Sequence, residues 1–391
     1  MQFADFIAPF DPEQFRREYY GRRPLYLPGA GRATLDILNW ARFNAVLALT
    51  PYWNEETLKV FYKSRAALRE NYCDVAAAPP GGYAPVNPAK VKALLGLGAS
   101  LVANHLHRVC PEVARVVAVL EREFAARAFA NVYCSFRGVQ AFQTHFDLHD
   151  VFAYQAEGEK TWRVYAARAE APVAPLPPGD ETEKWLIASR GRLLLEVVMK
   201  PGDILYLPRG QYHDALTGDR ASLHVTFGVA PATGLALFKV LENIFARERL
   251  FREYLPDARA QSALSAHLAA LAARVQAVMT SPAFVTDVRN LQRDLARPRA
   301  DYSLPEQVTP MWFSVLKRAQ VLRRDDGYVV ACDGQEIPLG TSYPTIEWLL
   351  QQRLFSLDDA LARQTGLDPN ELAADLERLA AAGIVARTEM R

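Results

Sequence analysis

Residues 142–165 read FQTHFDLHDVFAYQAEGEKTWRVY, and His145, Asp147, His149 and Asp150 fall within six of those positions. The surroundings are those of buried strand: Phe, Leu, Val and Tyr in short runs, a Glu-Gly break at Gly158, then a second run, KTWRVY. Side chains alternate along a strand, so Gln143, His145 and Asp147 are expected on one face and Phe142, Phe146 and Leu148 on the other. An imidazole and a carboxylate then project together into an apolar interior. An unpaired buried carboxylate is costly, or takes up a proton to become neutral, and a divalent metal removes that penalty. The plain alternative is a polar sheet edge facing solvent, or a satisfied ion pair.

A third ligand has to come from another strand, and PGDILYLPRGQYH (residues 201–213) offers His213, 68 positions after His145. Pro201-Gly202 turns into a strand that ends at Pro208, Gly210 makes a tight turn, and His213 returns to the inner face. H-x-D with a distant His is the two-histidine, one-carboxylate set of non-haem Fe(II) oxygenases, which leaves positions open for cosubstrate and oxygen. His224, which shares an inward face with Ser222 and Thr226 in SLHVTFGV, is the rival third ligand. His149 and Asp150 stand where the strand ends, with a direct role and a place behind the ligands or at the surface equally open. His105 and His107 form an H-x-H with no carboxylate beside it and read as core or surface residues, and His267 sits in an alanine-rich helix as a structural residue. Lys160, Trp162 and Val164 share a face. A lysine turned inward beside a metal is costly unless an acidic cosubstrate brings a carboxylate to it; otherwise Lys160 is a solvated hairpin residue.

The stretch from Ala130 to Pro231 continues in this texture, with NVYCSF, LLLEVVMKPGDILYLP and ASLHVTFGVA as further strand runs, and predicts an all-β barrel or sandwich. Upstream, Asp11 as N-cap and Pro12 at the first helical position open a short helix carrying Phe15 and Tyr19. Residues 34–125 mix short helical and strand signals, and Val113, Val116, Val117 and Leu120 recur at helical spacing. From 232 to about 297 three segments, TGLALFKVLENIFARERLF, QSALSAHLAALAARVQAVM and FVTDVRNLQRDLA, show helical spacing and read as a bundle suited to a subunit interface. The tail offers a hairpin in GYVVACDGQEIPL, helices in PTIEWLLQQRLF, SLDDALARQT and DPNELAADLERLAAAG, and a closing strand IVAR, an order that resembles a winged helix. The expected organisation is α+β: a barrel with an N-terminal helical extension over 1–231, a helical dimerisation region over 232–300 and a winged-helix-like unit over 301–391.

Composition narrows the partners. With 391 residues the chain is long enough for two or three units, each with a core. Its 45 basic and 44 acidic residues give no overall pull on nucleic acid or membrane. The segment from Ile346 onward carries eight acidic and five basic side chains, so direct DNA binding by the tail is not expected. No stretch has the roughly 18 uncharged apolar residues of a membrane span, and the N-terminus is too acidic for a targeting peptide, so a cytoplasmic protein is expected. Cys73, Cys110, Cys134 and Cys332 are scattered without C-x-x-C spacing, as reduced thiols.

HFD (145–147), VFAYQAEGEKTWRVY (151–165), PGDILYLPRGQYH (201–213) and SLHVTFGV (222–229), with the upstream RRPLYLPG (22–29), resemble the JmjC-type cupin family of ribosomal oxygenases. The likeness covers nearly the whole chain. It implies a double-stranded β-helix (JmjC/cupin) barrel, Fe(II) held by His145, Asp147 and His213, and 2-oxoglutarate with its distal carboxylate on Lys160. Asn131 and Thr226 match positions lining the cosubstrate pocket, and His224 stands where relatives have histidine or asparagine. The implied substrate is a ribosomal protein side chain, arginine or histidine, and the implied assembly a homodimer. The chain departs from the bacterial arginine hydroxylases at Lys160, where they use arginine, and at His149, where tyrosine is expected. Other occupants of the same ligand set are a hydroxylase of a peptide natural product or amino acid, a non-catalytic cupin scaffold, and a zinc or manganese cupin; the inward lysine discriminates against the last.

Overall fold

The computed structural model describes residues 1–30, 36–49, 52–62, 65–136, 143–218, 220–296, 312–325, 327–340, 343–364 and 366–388. Phe142, part of the strand expected around His145, lies outside them, as do residues 297–300 at the end of the expected helical region. Helices α1 (Phe3–Ile7) and α2 (Pro12–Glu18) open the chain, the second where its capping signal stands: the Asp11 carboxylate accepts from the Gln14 N–H at 2.7 Å, with Pro12 at the first position. After strand β1 (Leu25–Leu27) come α3 (Trp40–Leu47), β2 (Leu58–Tyr62), β3 (Arg65–Ala66), α4 (Pro88–Gly96), β4 (Ser100–Ala103) and α5 (Pro111–Phe124). The expected stripe of α5, Val113, Val116, Val117 and Leu120, is fully buried.

The strand-rich stretch holds β5 (Ala126–Ser135), β6 (Asp150–Glu157), β7 (Lys160–Arg168), helix α6 (Asp180–Ser189), β8 (Leu193–Met199), β9 (Ile204–Leu207), β10 (Gln211–Thr217) and β11 (Ser222–Pro231). Eight strands form one sheet in the order β1-β9-β6-β11-β5-β4-β2-β3, and β10-β7-β8 form a second, with antiparallel pairing throughout. Alternation sorts the side chains of the large sheet. Ala130, Val132, Phe152, Val225 and Phe227 pack with Phe3, Phe6, Phe15 and the α5 stripe, while Val151, Ala153 and Leu205 turn inward onto Trp162, Val164 and Met199 of the small sheet. With both faces covered, β11 is buried from Ser222 to Val229 and can present polar side chains only to the space between the sheets.

The expectation of strands alone from 130 to 231 missed α6. Its first turn carries Asp180, Glu181 and Glu183, which favour a helix N-terminus, yet Leu186 is its sole buried residue, too little apolar pattern to announce a helix. Downstream the first expected long helix is two, α7 (Ala236–Phe245) and α8 (Arg249–Arg252), folded so that Phe245 stacks on Phe251 at 4.0 Å; α9 (Gln261–Met279) and α10 (Pro282–Leu295) follow. Among the described residues no single helix is long and apolar enough to cross a membrane.

Contacts divide the chain into two compact units, residues 1–299 and 300–391. The second contains a three-stranded sheet of β12 (Trp312–Val315) between β16 (Leu354–Ser356) and β17 (Val385–Thr388), and a meander of β13 (Gln320–Arg324), β14 (Gly327–Cys332) and β15 (Gln335–Leu339). Helices α11 (Tyr343–Leu349), α12 (Leu357–Arg363) and α13 (Pro369–Ala381) complete it. The helix expected over 344–355 therefore stops at Leu349. Phe355 instead stacks on Phe313 at 5.5 Å in the core, and that burial draws Leu354–Ser356 into the sheet.

Candidate active site

Gln143–His149 is not the strand expected. It meets β10 at one residue pair: the His145 N–H donates to the His213 carbonyl at 3.0 Å and the His213 N–H to the His145 carbonyl at 2.9 Å. Further along, the Asp147 carbonyl accepts from the Gly210 N–H at 2.9 Å, so the backbone bends away from a ladder. The i, i+2 spacing still brings His145 and Asp147 to the same side, and the bridge sets the rings of His145 and His213 4.4 Å apart.

Each imidazole is held by the carbonyl two residues before it. His145 Nδ1 lies 2.8 Å from the Gln143 oxygen and His213 Nδ1 lies 2.9 Å from the Gln211 oxygen. A carbonyl only accepts, so Nδ1 carries the proton and Nε2 presents its lone pair. Asp147 Oδ2 is 3.5 Å from His213 Nε2, and one ligand atom from each of His145, Asp147 and His213 lies within 4.8 Å of the others. Burial, and then the neighbouring His145, depress the His213 proton affinity to about 4. Burial raises that of Asp147, but His213, His145 and His149 together hold it below the ordinary carboxylate range. At neutral pH His213 is thus a neutral imidazole and Asp147 a carboxylate, the protonation a divalent cation requires of them.

These residues open on a cavity of about 200 Å³ between the two sheets. Lys160, the first residue of β7, is 4% exposed, and its Nζ is 3.4 Å from Ser135 Oγ. No carboxylate forms an ion pair with it among the described residues, and burial lowers its proton affinity from 10.5 to about 8, against a small opposing effect of Cys134. His224 is stacked on Tyr133 at 4.8 Å and stands apart from the three converging ligand atoms. Its Nδ1 has no hydrogen-bond partner among the described residues, and burial followed by the Lys160 charge keeps it neutral. The Trp162 indole N–H is likewise unpartnered among them. Asn131 and Thr226 face each other in register across β5 and β11. Asn131 Oδ1 accepts from the His105 N–H at 3.0 Å, which leaves its amide N–H groups to serve Tyr133 and the cavity.

The donor set suits a divalent metal, and a buried cation beside unpaired polar atoms suits a small acid. Phe129 and Tyr133 also line the cavity, and their alternation with Asn131 on one strand is the signal in the sequence that points to them. His149 lies at the cavity wall against Phe129 at 4.9 Å, over Gly228, whereas His105, His107 and His267 are not ligands of the cluster. All four cysteines are free and buried.

Gly210 makes the β9–β10 turn at φ 83°, and a Cβ there would overlap the Ala169 carbonyl oxygen. Gly210→Ala is expected to destabilise the protein by at least about 1–2 kcal/mol, the cost of a left-handed conformation for an L-residue, seen as a lower urea midpoint at unchanged slope.

Comparison with known proteins agrees with this geometry. Residues 103–237 match the JmjC domain. Ribosomal oxygenase 1 of Gallus gallus is 31% identical over 226 residues, covering 57% of this chain and 36% of the relative. The bifunctional lysine-specific demethylase and histidyl-hydroxylase NO66 of Dictyostelium discoideum is 28% identical over 266 residues, covering 65% and 48%. The chain thus spans less than half the length of these two relatives. The structure of YcfD, a ribosomal oxygenase from Escherichia coli, covers 97% of this chain and 99% of its own at a TM-score of 0.50 and 16% identity, a likeness of fold. Residues 103–237 thus carry a JmjC domain, the chain is similar in sequence to these ribosomal oxygenases, and its fold is a JmjC/cupin one with mixed α and β content.

Proposed function

We propose that the chain is an Fe(II)- and 2-oxoglutarate-dependent oxygenase that hydroxylates an arginine or histidine side chain of a ribosomal protein. The observation that carries this reading is the meeting, in one cavity, of the His145, Asp147, His213 ligand set with a buried lysine that no carboxylate neutralises among the described residues. In this reading those three residues hold the iron and Lys160 pairs with the distal carboxylate of 2-oxoglutarate. Asn131, Thr226 and His224 line the cosubstrate pocket. Iron and 2-oxoglutarate, when bound, supply the oxidising power to hydroxylate an unactivated C–H bond, with decarboxylation of the cosubstrate to succinate.

The chain's own part is placement. Lys160 offers a fixed charge, and neutral His224 and the Asn131 amide offer hydrogen bonds without adding one. Trp162 and Tyr133 wall the cavity with aromatic surface that keeps water out. A groove of about 630 Å³ between residues 143–149 and the Pro175–Leu186 segment leads to His145 and Asp147 and gives a protein side chain its approach. The names of the relatives, a ribosomal oxygenase and a histidyl-hydroxylase, favour a ribosomal target. The same reading takes residues 232–300 as a homodimer surface, supported by exposed Leu235, Phe238 and Leu268, and residues 301–391 as a winged-helix-like unit.

Mass spectrometry of ribosomal proteins from cells with and without the gene tests the substrate. One peptide is expected to lose a single oxygen when the gene is deleted. Identical spectra, together with succinate formation by the purified protein, would keep the oxygenase and sink the ribosomal target.

A further inference from the structure

Among the described residues, the segment that carries His145 and Asp147 is joined to β10 by one bridge and to the Gly210 turn before it by one further backbone hydrogen bond, a thin attachment for ligands that must keep their geometry. Its reverse side is tied more firmly. Thr144 precedes His145 and Asp214 follows His213, so both point away from the cavity where their neighbours point in. There the Thr144 hydroxyl donates to Asp214 Oδ2 at 2.9 Å, and the Tyr165 hydroxyl donates to the same oxygen at 2.7 Å. Arg190, which ends α6, donates through Nη1 to Thr144 Oγ1 at 2.8 Å, lies 3.7 Å from Asp214 Oδ2 and sits 4.3 Å over the Tyr165 ring. Thr144, Asp214 and Tyr165 are each at most 5% exposed.

Such a cluster is an expensive way to fill space. A carboxylate taken out of water needs partners, and apolar side chains of equal volume stabilise a core as well or better. What the polar cluster adds is direction: the Thr144 and Tyr165 hydroxyls converge on one Asp214 oxygen, and the threonine can bond both Arg190 and Asp214 only with its backbone in one place. We propose that Arg190, Thr144, Asp214 and Tyr165 form a clasp that positions the metal ligands, holding residues 143–149 against β10 so that His145 and Asp147 meet His213. The clasp supplies no ligand to the metal cluster itself. The inference rests on the reading of His145, Asp147 and His213 as the metal site.

The test is Co(II) binding to the full-length, metal-free protein without cosubstrate, followed by ligand-field absorbance, with the thermal midpoint of each metal-free variant measured beside it. Thr144→Val and Tyr165→Phe are expected to bind Co(II) about 10–100-fold more weakly, the usual effect of removing a group that orients a ligand, and with altered band intensities. Thr144→Ser, which keeps the hydroxyl, is expected to restore both affinity and spectrum. If Thr144→Val does not fold, Tyr165→Phe carries the test alone, since it keeps the ring under Arg190. Wild-type affinity and spectrum in the folded variants, whatever their midpoints, would overturn the clasp and leave the metal site standing. Failure of the unaltered protein to bind Co(II) would overturn both.

Discussion

Asp147→Ala is expected to abolish metal binding and, with it, succinate formation from 2-oxoglutarate. The variant leaves two imidazoles and, among the described residues, a cavity lining with no carboxylate beside them. A divalent cation would then stand near Lys160 with nothing to offset its charge, and the electrostatic balance turns against occupancy. Groups that merely orient a ligand are worth about 10–100-fold in affinity, so loss of the one anionic ligand is expected to exceed ~100-fold. Asp147→Asn separates shape from charge, since it keeps the side-chain volume and one oxygen but not the negative charge. Calorimetric titration with Mn(II) or Co(II) and a succinate assay measure the two effects independently. Wild-type turnover in Asp147→Ala would remove the carboxylate from the ligand set and return His224, the nearby inward imidazole, to consideration.

Much of this site was legible because two of its parts are local. Lys160, Trp162 and Val164 alternate on a strand, and all three point inward and are buried. The turn at Gly210 returns His213 to the cavity for a reason visible in the residues, a glycine after Pro208 and before a run that pairs with β7. The conformation of 143–149 was less accessible. Its aromatic and apolar residues look like strand, but a strand exists only where a partner continues the ladder, and here β10 supplies one pair before turning to β7. Leu354–Ser356 shows the converse: the local pattern is helical, and a distant partner, Phe313, overrides it. The clasp was invisible for the same kind of reason. Thr144, Tyr165, Arg190 and Asp214 are ordinary residues at unremarkable spacings until the small sheet, residues 143–149 and the end of α6 bring them together.

Lys160→Met is expected to act in opposite directions on stability and on cosubstrate binding. In the folded, ligand-free protein the Lys160 proton affinity is lowered from 10.5 to about 8 by burial. Between those two pH values the unfolded chain binds more protons than the folded one, so the contribution of Lys160 to stability rises with pH across the window. Below about pH 8 the whole cost of the buried charge is present, of the order of 3 kcal/mol, and above 10.5 none of it remains. Methionine fills a similar volume without that cost, and the metal-free variant is expected to be more stable at neutral pH by up to this amount, with the pH dependence between 8 and 10.5 gone. Cosubstrate binding moves the other way. Removing one partner of a buried pair costs about 3–5 kcal/mol because the other charge is left alone, so the KM for 2-oxoglutarate is expected to rise by roughly 100-fold or more. In the unaltered protein the lysine must be charged to pair, and affinity for 2-oxoglutarate is therefore expected to weaken as pH rises through about 8. Urea unfolding of the metal-free protein and 2-oxoglutarate titrations across pH 7 to 10 read the two effects separately. A destabilised Lys160→Met with an unchanged KM would show that Lys160 serves the fold through Ser135 and that the diacid is anchored elsewhere.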